Sequence, residues 1–265
     1  LTEPGAGSDA GGTQTTAALE DGQWRINGAK EFITNSGTDI TSLVTVTAVT
    51  GTVEGRTGHD GRPAKEISTI LVPAGTEGFS VAKAYDKVGW NSSDTHALHF
   101  SDVRVPEENL LGARGRGFAH FLEILDEGRI AIAALATGAA QGCVDESVAY
   151  AKQRTSFGQK IGQFQAVSFK IARMQARAHA ARLAYYEAAQ KMLAGKPFKT
   201  EAAMAKLIAG EAAMDNARDA TQVFGGYGFM NETLVARHYR DSKILEVGEG
   251  TTEVQLMLIA RELGL

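Results

Sequence analysis

The chain has 265 residues, 43% of them hydrophobic and 22% charged, which are the proportions of a globular protein with a sizeable core. Its net charge of -4 argues against a nucleic-acid-binding protein, because such proteins usually present a basic face. A single cysteine, Cys143, excludes an internal disulfide, and no apolar run approaches the roughly 20 residues of a membrane-spanning helix.

The first part of the chain, residues 1–112, predicts a β domain. Short runs rich in β-forming residues lie at 23–26, 32–34, 43–49, 68–72, 79–81, 97–100 and 103–106. Asp21-Gly22 and Asn27-Gly28 are strong turn signals, and the polar, Gly-rich stretch 51–63 is interpreted as a flexible loop. This pattern predicts a small antiparallel β-sandwich or barrel.

The second part, residues 113–265, predicts an antiparallel four-helix bundle. Its apolar residues recur at helical spacing over 129–154, 167–185 and 201–224, and then over the shorter segments 234–245 and 254–263. Gly195-Lys196-Pro197 and Gly225-Gly226 supply helix-stop signals. The predicted fold class is therefore α+β, with a β domain followed by a helical domain.

Glu249 is the leading candidate for a chemical role. It stands between Gly248 and Gly250, immediately before the last predicted helix. The hydroxyls of Thr251 and Thr252 can cap that helix. A carboxylate held on such a loop suits a general base, and a solvated Glu in a helix-entry loop is the alternative interpretation.

Three further motifs are each ambiguous alone. The small-residue loop 2–9 could receive a phosphate-bearing ligand or be a plain surface loop. Arg154, followed by Phe157, suits a pyrophosphate but could equally complement a helix dipole. The pair Asp126 and Arg129 has the spacing of an ordinary surface ion pair. The six histidines show no metal-ligand spacing, so no metal site is predicted.

Together these motifs resemble the acyl-CoA dehydrogenase family over nearly the whole chain. The matching segments, in that family's order and spacing, are Thr2-Glu3-Pro4-x-Ala6-Gly7-Ser8-Asp9, Asn27-Gly28-x-Lys30-x-Phe32-Ile33-Thr34-Asn35, Ser93-Asp94-Thr95, Val105-Pro106, Arg154-x-x-Phe157-Gly158, Gln165-Ala166, Gln222-x-Phe224-Gly225-Gly226-x-Gly228, Arg240-Asp241 and Glu249-Gly250-Thr251. Each segment is weakly specific, and the specificity comes from their common register.

The resemblance implies an FAD-dependent enzyme that converts an acyl-CoA thioester to a trans-2-enoyl-CoA. Glu249 would remove the pro-R α-proton while the β-hydrogen leaves as hydride to flavin N5. The backbone N–H of Glu249 would help to polarise the thioester carbonyl. The resemblance also implies an additional N-terminal helical domain, which this sequence does not contain.

The family's binding residues carry over position by position. The implied cofactor-binding residues are Thr2, Ser8, Phe32, Ile33, Thr34, Thr251 and Glu253, together with Arg154, Phe157, Gln165, Gln222, Gly225 and Gly226 for the FAD of a neighbouring subunit. The implied substrate-binding residues are Ser8, Asp126, Arg129 and Gly248. Gly248 stands where several relatives carry Tyr, which should leave more room beside the base.

The resemblance also gives expectations about partners and compartment. A site shared between subunits implies a homo-oligomer, with a dimer of dimers as the expected state. An electron-transferring flavoprotein is the expected electron acceptor, with no nucleic acid and no membrane span involved. The expected compartment is the cytoplasm of a bacterium, or the mitochondrial matrix if the source is eukaryotic.

Three alternatives stay open. An acyl-CoA oxidase would pass electrons from the reduced flavin to oxygen. A flavin-bearing, non-catalytic relative, such as the DNA-associated branch linked to alkylation response, would keep the fold without this reaction. An inactive fragment would keep the fold and lose the flavin.

Overall fold

The computed structural model describes residues 1–58 and 61–265 of the chain. It divides into two compact units, residues 1–87 with 91–123 and residues 88–90 with 124–265. These are called the sheet unit and the helical unit below. The predicted domain boundary between residues 112 and 113 stays a prediction. None of the described helices is long and apolar enough to cross a membrane.

The sheet unit is built on one six-stranded sheet. Its strands are β1 (Thr16–Glu20), β2 (Gln23–Thr34), β3 (Leu43–Thr57), β4 (Pro63–Pro73), β5 (Phe79–Val81) and β6 (Thr95–Pro106). They lie in the order β4-β3-β1-β2-β6-β5, and every neighbouring pair is antiparallel except β1 with β3. Short 3-10 helices precede β1 and follow β6.

The predicted α+β class is confirmed, with one refinement in the β unit. The sheet is mixed rather than purely antiparallel, because Thr16 of β1 pairs in parallel with Val49 of β3. Among the described residues, the edge strands β4 and β5 do not pair with each other, so the sheet stays open. Strand β1 had no counterpart among the predicted runs.

One predicted turn is correct and the other is wrong. Asp21 and Gly22 both have positive φ, 51° and 75°, and connect β1 to β2 as a tight hairpin. Asn27-Gly28 lies inside β2 instead of ending it. The chain absorbs the glycine as a bulge, because the pairing of β2 with β6 shifts register between Ile26 and Gly28.

The flexible loop predicted for residues 51–63 is also wrong over most of its length. Strand β3 continues through Gly51 as far as Thr57 and pairs there with Pro63 of β4. A second register shift in this hairpin accommodates the glycines within the strand. The central part of the predicted loop, residues 59 and 60, lies outside the described residues.

Within the sheet unit, a buried ion pair joins the first residues of the chain to strand β2. Lys30 of β2 donates to a carboxylate oxygen of Glu3 over 2.7 Å, and both side chains are almost fully buried. Thr13 and the backbone N–H groups of Gln14 and Thr15 also donate to this carboxylate. Burial alone would raise the pKa of Glu3, but these hydrogen bonds outweigh it and lower the pKa to about 2.

A second polar cluster centres on His96 of β6, which is also buried. Its Nδ1 lies 2.7 Å from the carbonyl oxygen of Ala82, and its Nε2 lies 2.6 Å from a carboxylate oxygen of Asp94. Both partners can only accept, so both ring nitrogens carry hydrogen when both bonds form. Burial lowers the pKa of His96, but these two bonds and the Asp94 charge outweigh it and raise the pKa.

The helical unit consists of six α-helices, two short 3-10 helices (Ile161–Gln163 and Gly225–Phe229) and one small hairpin in the described part of the chain. The helices are α1 (Gly117–Gln153), which begins in the sheet unit, α2 (Gln165–Leu193), α3 (Lys199–Phe224), α4 (Leu234–Ser242), α5 (Ile244–Val247) and α6 (Thr252–Glu262). Strands β7 (Thr155–Ser156) and β8 (Gln159–Lys160) form the hairpin between α1 and α2. The three long predicted helices are confirmed, and the predicted helix 234–245 is divided into α4 and α5.

Alanine dominates the core of the helical unit. The fully buried positions of α1, α2 and α3 are mostly alanines, including Ala136, Ala178 and Ala209. One buried polar side chain links all three helices, because Asn216 of α3 donates to the carbonyls of Ala140 in α1 and Met174 in α2, over 3.1 and 2.9 Å. Helix α3 also contacts α4, α5 and α6, so it is the central element of this unit.

We expect Lys30→Met to lower the free energy of unfolding by about 3–5 kcal/mol, because it leaves the Glu3 carboxylate buried without its cation. Adding Glu3→Gln should restore part of that loss, since the double variant buries no charge at this site. Lys83→Met, at an exposed position, is the control and should change little. Urea unfolding measures all three, and equal stabilities for the two single variants would contradict the prediction.

The His96 cluster predicts a pH effect of defined sign. The folded protein holds the His96 proton more tightly than the unfolded chain, so stability falls as pH rises from about 6.5 through the raised pKa. Thermal unfolding between about pH 6 and 9 should show this decline. His96→Gln should flatten the decline and the exposed-site control His99→Gln should not. The same pH dependence in His96→Gln and the unaltered protein would rule out the assignment.

Candidate active site

The loop before α6 has an unusual backbone conformation. Glu249 and Gly250 are consecutive residues in the left-handed region, with φ of 56° and 93°. Only Gly adopts this region freely, so Glu249 is held there against its own preference. Thr251 then caps α6, because its hydroxyl accepts the N–H of Val254 over 3.4 Å. The predicted cap is thus present, and the helix begins at Thr252.

Two buried side chains, one from α3 and one from α6, donate hydrogen bonds to the carbonyl groups of this loop. Lys206 of α3 donates from Nζ to the carbonyl oxygen of Gly250 over 2.8 Å. Gln255 of α6 donates from Nε2 to the same oxygen over 2.9 Å and to the carbonyl of Glu249 over 3.4 Å. Both side chains are fully buried. The backbone that directly follows the Glu249 Cα is therefore held by donors from two different helices.

The Lys206 ammonium lies in a mixed electrostatic environment. Burial is the largest effect and lowers its pKa, and the neighbouring Arg129 lowers it further. The carboxylates of Glu246, Glu249 and Glu253 act in the opposite direction. The net result is a pKa of about 8, well below the usual value for lysine.

The Glu249 carboxylate lies over a gap in the side chains of α1. A Cβ atom built on Gly128 would stand 3.0 Å from Oε2 of Glu249. Any larger residue at this position of α1 would therefore push the carboxylate away. The Glu249 side chain is exposed in the chain as it stands, so it is accessible to a ligand.

Asp126 and Arg129 occupy the same turn of α1 as Gly128. They form the ion pair that their spacing predicts, from a guanidinium N–H to a carboxylate oxygen. The expectation of an ordinary surface pair is wrong, because Arg129 is only 4% exposed and the Asp126 side chain is mostly covered. The Nε atom of Arg129 has no partner among the described residues.

Two further predicted residues, Gly248 and Glu253, flank the Glu249 loop in the chain. Gly248 follows α5, and its N–H donates to the carbonyl of Ile244 over 2.7 Å. Its φ of -68° is accessible to any residue. Glu253 lies in the first turn of α6, where bonds from its own N–H and from the Thr251 hydroxyl lower its pKa. The structure thus brings Asp126, Arg129, Gly248, Glu249, Thr251 and Glu253 into one region of the helical unit.

Helix α3 approaches this region very closely at one point. A Cβ atom on Gly210 would stand 2.8 Å from the carbonyl oxygen of Leu245 in α5. Gly210 lies one turn after Lys206 on the same face of α3. The glycine thus permits the close approach that lets Lys206 reach the loop carrying Glu249.

A separate cleft of the helical unit contains three of the other predicted residues. Its volume is about 570 Å³, and its lining includes Arg154, Gly225 and Gly226. The stacked rings of Tyr150 and Phe224, 4.1 Å apart, form part of its wall. Within the described chain, the Arg154 guanidinium makes no ion pair and no hydrogen bond, so it is available to an anionic ligand.

Three predicted residues lie outside the lining of this cleft. Phe157 is 94% exposed at the tip of the β7–β8 hairpin, where its φ is 49°. Gln165 begins α2, and Gln222 lies in the last turn of α3 with its side chain exposed. The strained backbone of Phe157 makes its exposed ring a candidate for a contact with a ligand or another chain.

In the sheet unit, the predicted residues gather at a bulge of β2. The register of β2 against β6 shifts between Lys30 and Ile33, and Phe32 has a left-handed φ of 59° within that interval. The bulge leaves the Phe32 ring 66% exposed, 5.4 Å from the ring of Tyr85. Thr2 lies alongside, because its carbonyl accepts the N–H of Glu31 over 2.9 Å.

The other members of this set are more loosely placed. Ile33 and Thr34 follow the bulge, half-buried and exposed respectively. Ser8 is exposed in the loop before the first 3-10 helix, beyond the bridge between Glu3 and Ala6. The structure thus brings Thr2 close to residues 32–34 and shows no contact of the Ser8 side chain with them.

The sequence interpretation missed the side chains that support these sites. Lys206, Gln255 and Tyr150 lie within regular helices, and Tyr85 lies in an irregular stretch. The only signal for Lys206 and Gln255 is that each places a polar residue on an apolar helix face. Within residues 1–58 and 61–265, no cluster of His, Cys, Asp and Glu could hold a metal ion.

Comparison with protein families identifies the class. The model of the acyl-CoA dehydrogenase middle domain matches residues 1–103, and the model of the acyl-CoA dehydrogenase C-terminal domain matches residues 115–264. The chain therefore belongs to the acyl-CoA dehydrogenase family.

Individual relatives agree with this assignment. A probable acyl-CoA dehydrogenase of Bacillus subtilis, YngJ, is 48% identical over 99% of this chain and 67% of its own length. The short-chain-specific acyl-CoA dehydrogenase of Megasphaera elsdenii is 45% identical over 97% of this chain and 65% of its own. The chain thus spans about two thirds of the length of these relatives.

Solved structures share the fold over the whole chain. Butyryl-CoA dehydrogenase from Megasphaera elsdenii matches with a TM-score of 0.92 and 44% identity, covering 100% of this chain and 67% of that one. A chain from work on the electron-transferring flavoprotein of Acidaminococcus fermentans matches at 0.91 and 41%, covering 99% and 67%. PigA, solved with FAD and proline, matches at 0.91 and 33%, covering 100% and 66%.

The close approach at Gly210 predicts an unusual response to alanine. Gly210→Ala places a methyl group against a backbone carbonyl, and this overpacking should lower the free energy of unfolding by about 1–3 kcal/mol. That loss is larger than the stabilisation expected from the higher helix propensity of alanine. Gly138→Ala in α1 is the matched control, because nothing lies within 4 Å of its added Cβ. That variant should be stabilised by about 0.5–1 kcal/mol. Urea unfolding tests the pair, and a Gly210→Ala variant as stable as Gly138→Ala would refute the packing argument.

Proposed function

We propose that this chain carries the base and the flavin-binding elements of an FAD-dependent acyl-CoA dehydrogenase, which converts an acyl-CoA thioester to a trans-2-enoyl-CoA. The observation that carries the proposal is the fixed, strained placement of Glu249. Its carboxylate is accessible, its backbone is held by two buried donors, and α1 leaves room for it at Gly128.

Glu249 would take the α-proton of the thioester at a carboxylate oxygen. An α-proton next to a thioester is weakly acidic, so its removal needs a base at fixed geometry and a polarised carbonyl. The N–H of Glu249 would donate to that carbonyl oxygen. Because the same residue supplies base and donor, the strained backbone conformation at Glu249 sets both positions together.

The chain's own residues fit FAD at two places. The unpaired Arg154 guanidinium faces a cleft of a volume usual for cofactor sites, and the neighbouring Gly225 and Gly226 let a ligand approach the backbone. In the sheet unit, the exposed ring of Phe32 offers an apolar surface for the flat flavin ring. When bound, the flavin supplies the acceptor for the β-hydrogen.

The other predicted residues keep the roles that the family resemblance implies. Thr2, Ser8, Ile33 and Thr34 would contact the flavin beside Phe32, and Thr251 and Glu253 would lie near the adenosine or pyrophosphate part. Arg154, Phe157, Gln165, Gln222, Gly225 and Gly226 would reach the FAD of a neighbouring copy. The high exposure of Phe157 supports such a contact between copies, and a homo-oligomer is the expected state.

Ser8, Asp126 and Arg129 would hold the CoA moiety, and Gly248 would line the thioester site. Because the pair of Asp126 with Arg129 is mostly buried, Arg129 would contact the CoA moiety from a fixed position on α1. A short acyl chain is the first substrate to test, because a relative at 45% identity is named short-chain specific.

The electron acceptor and the compartment are also proposals. An electron-transferring flavoprotein is the proposed acceptor, and the structural match to a chain from work on such a flavoprotein supports this choice. The proposed compartment is the cytoplasm of a bacterium, or the mitochondrial matrix in a eukaryote. A free, buried Cys143 is compatible with either reducing compartment.

The test is anaerobic bleaching of the flavin band of the purified, FAD-loaded protein by acyl-CoA thioesters of increasing length. We expect one length class to bleach it, and Glu249→Gln to slow bleaching by at least about 1,000-fold with the flavin retained, because the base is lost. Glu262→Gln, an exposed carboxylate at the end of α6, is the control and should bleach normally.

Bound flavin that no thioester bleaches would overturn the proposal and favour the non-catalytic alternative. Rapid reoxidation of the bleached flavin by oxygen, rather than by an electron-transferring flavoprotein, would favour the oxidase.

A further inference from the structure

Lys206 carries a buried ammonium group whose presence is not explained by the need to satisfy a backbone hydrogen bond. Burying an ammonium group is costly, and natural proteins usually pair such a group with a carboxylate. Among the described residues, no carboxylate oxygen lies within ion-pair distance of Lys206, whose hydrogen bond goes to the main-chain carbonyl of Gly250. That carbonyl also accepts from Gln255, so it would not be left unsatisfied without the lysine.

The location of Lys206 suggests what the buried charge does. Its acceptor belongs to the residue directly after Glu249, at the second of two consecutive left-handed backbone conformations. A strained non-glycine conformation persists only where the surroundings impose it. A close approach of α3 to α5, at Gly210, lies one turn further along the face that carries Lys206. Helix α3 is therefore packed closely against the segment that leads into the loop.

The charges around Lys206 point to the same residue. The groups that act on it come from four elements: Arg129 of α1, Glu246 of α5, Glu249 of the loop and Glu253 of α6. Glu246 has its own ion pair with Lys243, at 2.5 Å, and Glu253 is exposed at the start of α6. Arg129 is paired with Asp126. Glu249 is the one member of this set whose carboxylate has no hydrogen bond or ion pair in the described structure.

We propose that Lys206 is a positioning residue for Glu249: it fixes the Gly250 carbonyl, and its positive charge attracts the Glu249 carboxylate that lies over Gly128. Lys206 touches neither substrate nor cofactor in this scheme. It acts through the loop backbone and through the field at the carboxylate. The inference rests on the proposed function of Glu249 as the α-proton base.

The scheme predicts a specific pattern among substitutions. Lys206→Met keeps the length and packing of the side chain but removes the donor and the charge. Because misplacement of a reacting group by about 1 Å can cost about 100-fold in rate, kcat should fall by at least about tenfold. KM should change less than about threefold, since no substrate contact is lost. Lys206→Arg keeps donor and charge and should recover most of the rate.

Lys199→Met is the matched control, because it makes the same change in the same helix at an exposed position. All variants would be compared at equal flavin content, with kcat and KM measured in steady-state turnover of butanoyl-CoA with an added electron acceptor. A second readout needs no activity: amide hydrogen exchange of residues 248–252. Exchange there should accelerate by at least about tenfold in Lys206→Met and stay unchanged in Lys199→Met.

The outcomes separate the two proposals. Unchanged exchange in residues 248–252 of Lys206→Met, or a kcat within about twofold of the unaltered protein, would overturn the role of Lys206. If the unaltered protein is not bleached by any acyl-CoA, the proposed function fails, and the exchange comparison still decides whether Lys206 orders the loop. Should Lys206→Met not fold, Lys206→Gln, which keeps a donor without the charge, replaces it and should show the loss of rate with smaller loss of protection.

Discussion

The contact between α3 and the segment from α5 to α6 determines the geometry of the candidate active site. On one face of α3, Gly210 admits the Leu245 carbonyl and Lys206 reaches the Gly250 carbonyl one turn away. Gly210 sets the distance between α3 and α5, and at that distance the Lys206 ammonium can donate to the loop carbonyl. If the two helices moved apart by the width of a methyl group, the hydrogen bond at 2.8 Å would be lengthened beyond its useful range. The position of Glu249 thus depends on a backbone approach in the core.

Three proposed site residues share a backbone feature that is rare for their residue types. Phe32, Phe157 and Glu249 all have positive φ, although none is glycine. Each stands where regular structure is interrupted: a bulge in β2, the tip of the β7–β8 hairpin and the entry to α6. Such conformations cost free energy, and they turn a side chain in a direction that a regular helix or strand would not allow. The common feature supports a functional interpretation of all three.

The sequence predicted the α+β class, the three long helices and the Thr251 cap because these depend on local patterns. It failed where tertiary pairing overrides local preference. Asn27-Gly28 has the composition of a turn, yet pairing with β6 carries the strand through it as a bulge. Residues 51–57 look like a polar loop, yet β4 extends them as a strand.

The candidate site shows the same division between local and tertiary information. Glu249 and its flanking glycines can be recognised in the sequence, because the motif is contiguous. Lys206 lies 43 residues before Glu249, and no local pattern links the two; only the packing of α3 brings them together. The burial of Arg129 was likewise not predictable from its i,i+3 spacing with Asp126, since that spacing is the same on a surface helix.

The alanine-rich core of the helical unit has a consequence for how its helices find their alignment. Alanine loses no rotamer freedom on burial, so such a core forms at a low entropic cost. Its smooth, repetitive surfaces, however, discriminate poorly between one helical register and the next. Asn216 supplies that discrimination, because its amide reaches Ala140 and Met174 in only one alignment of α1, α2 and α3. A single buried amide thereby fixes the relative register of three long helices, as one buried asparagine fixes the register of a coiled coil.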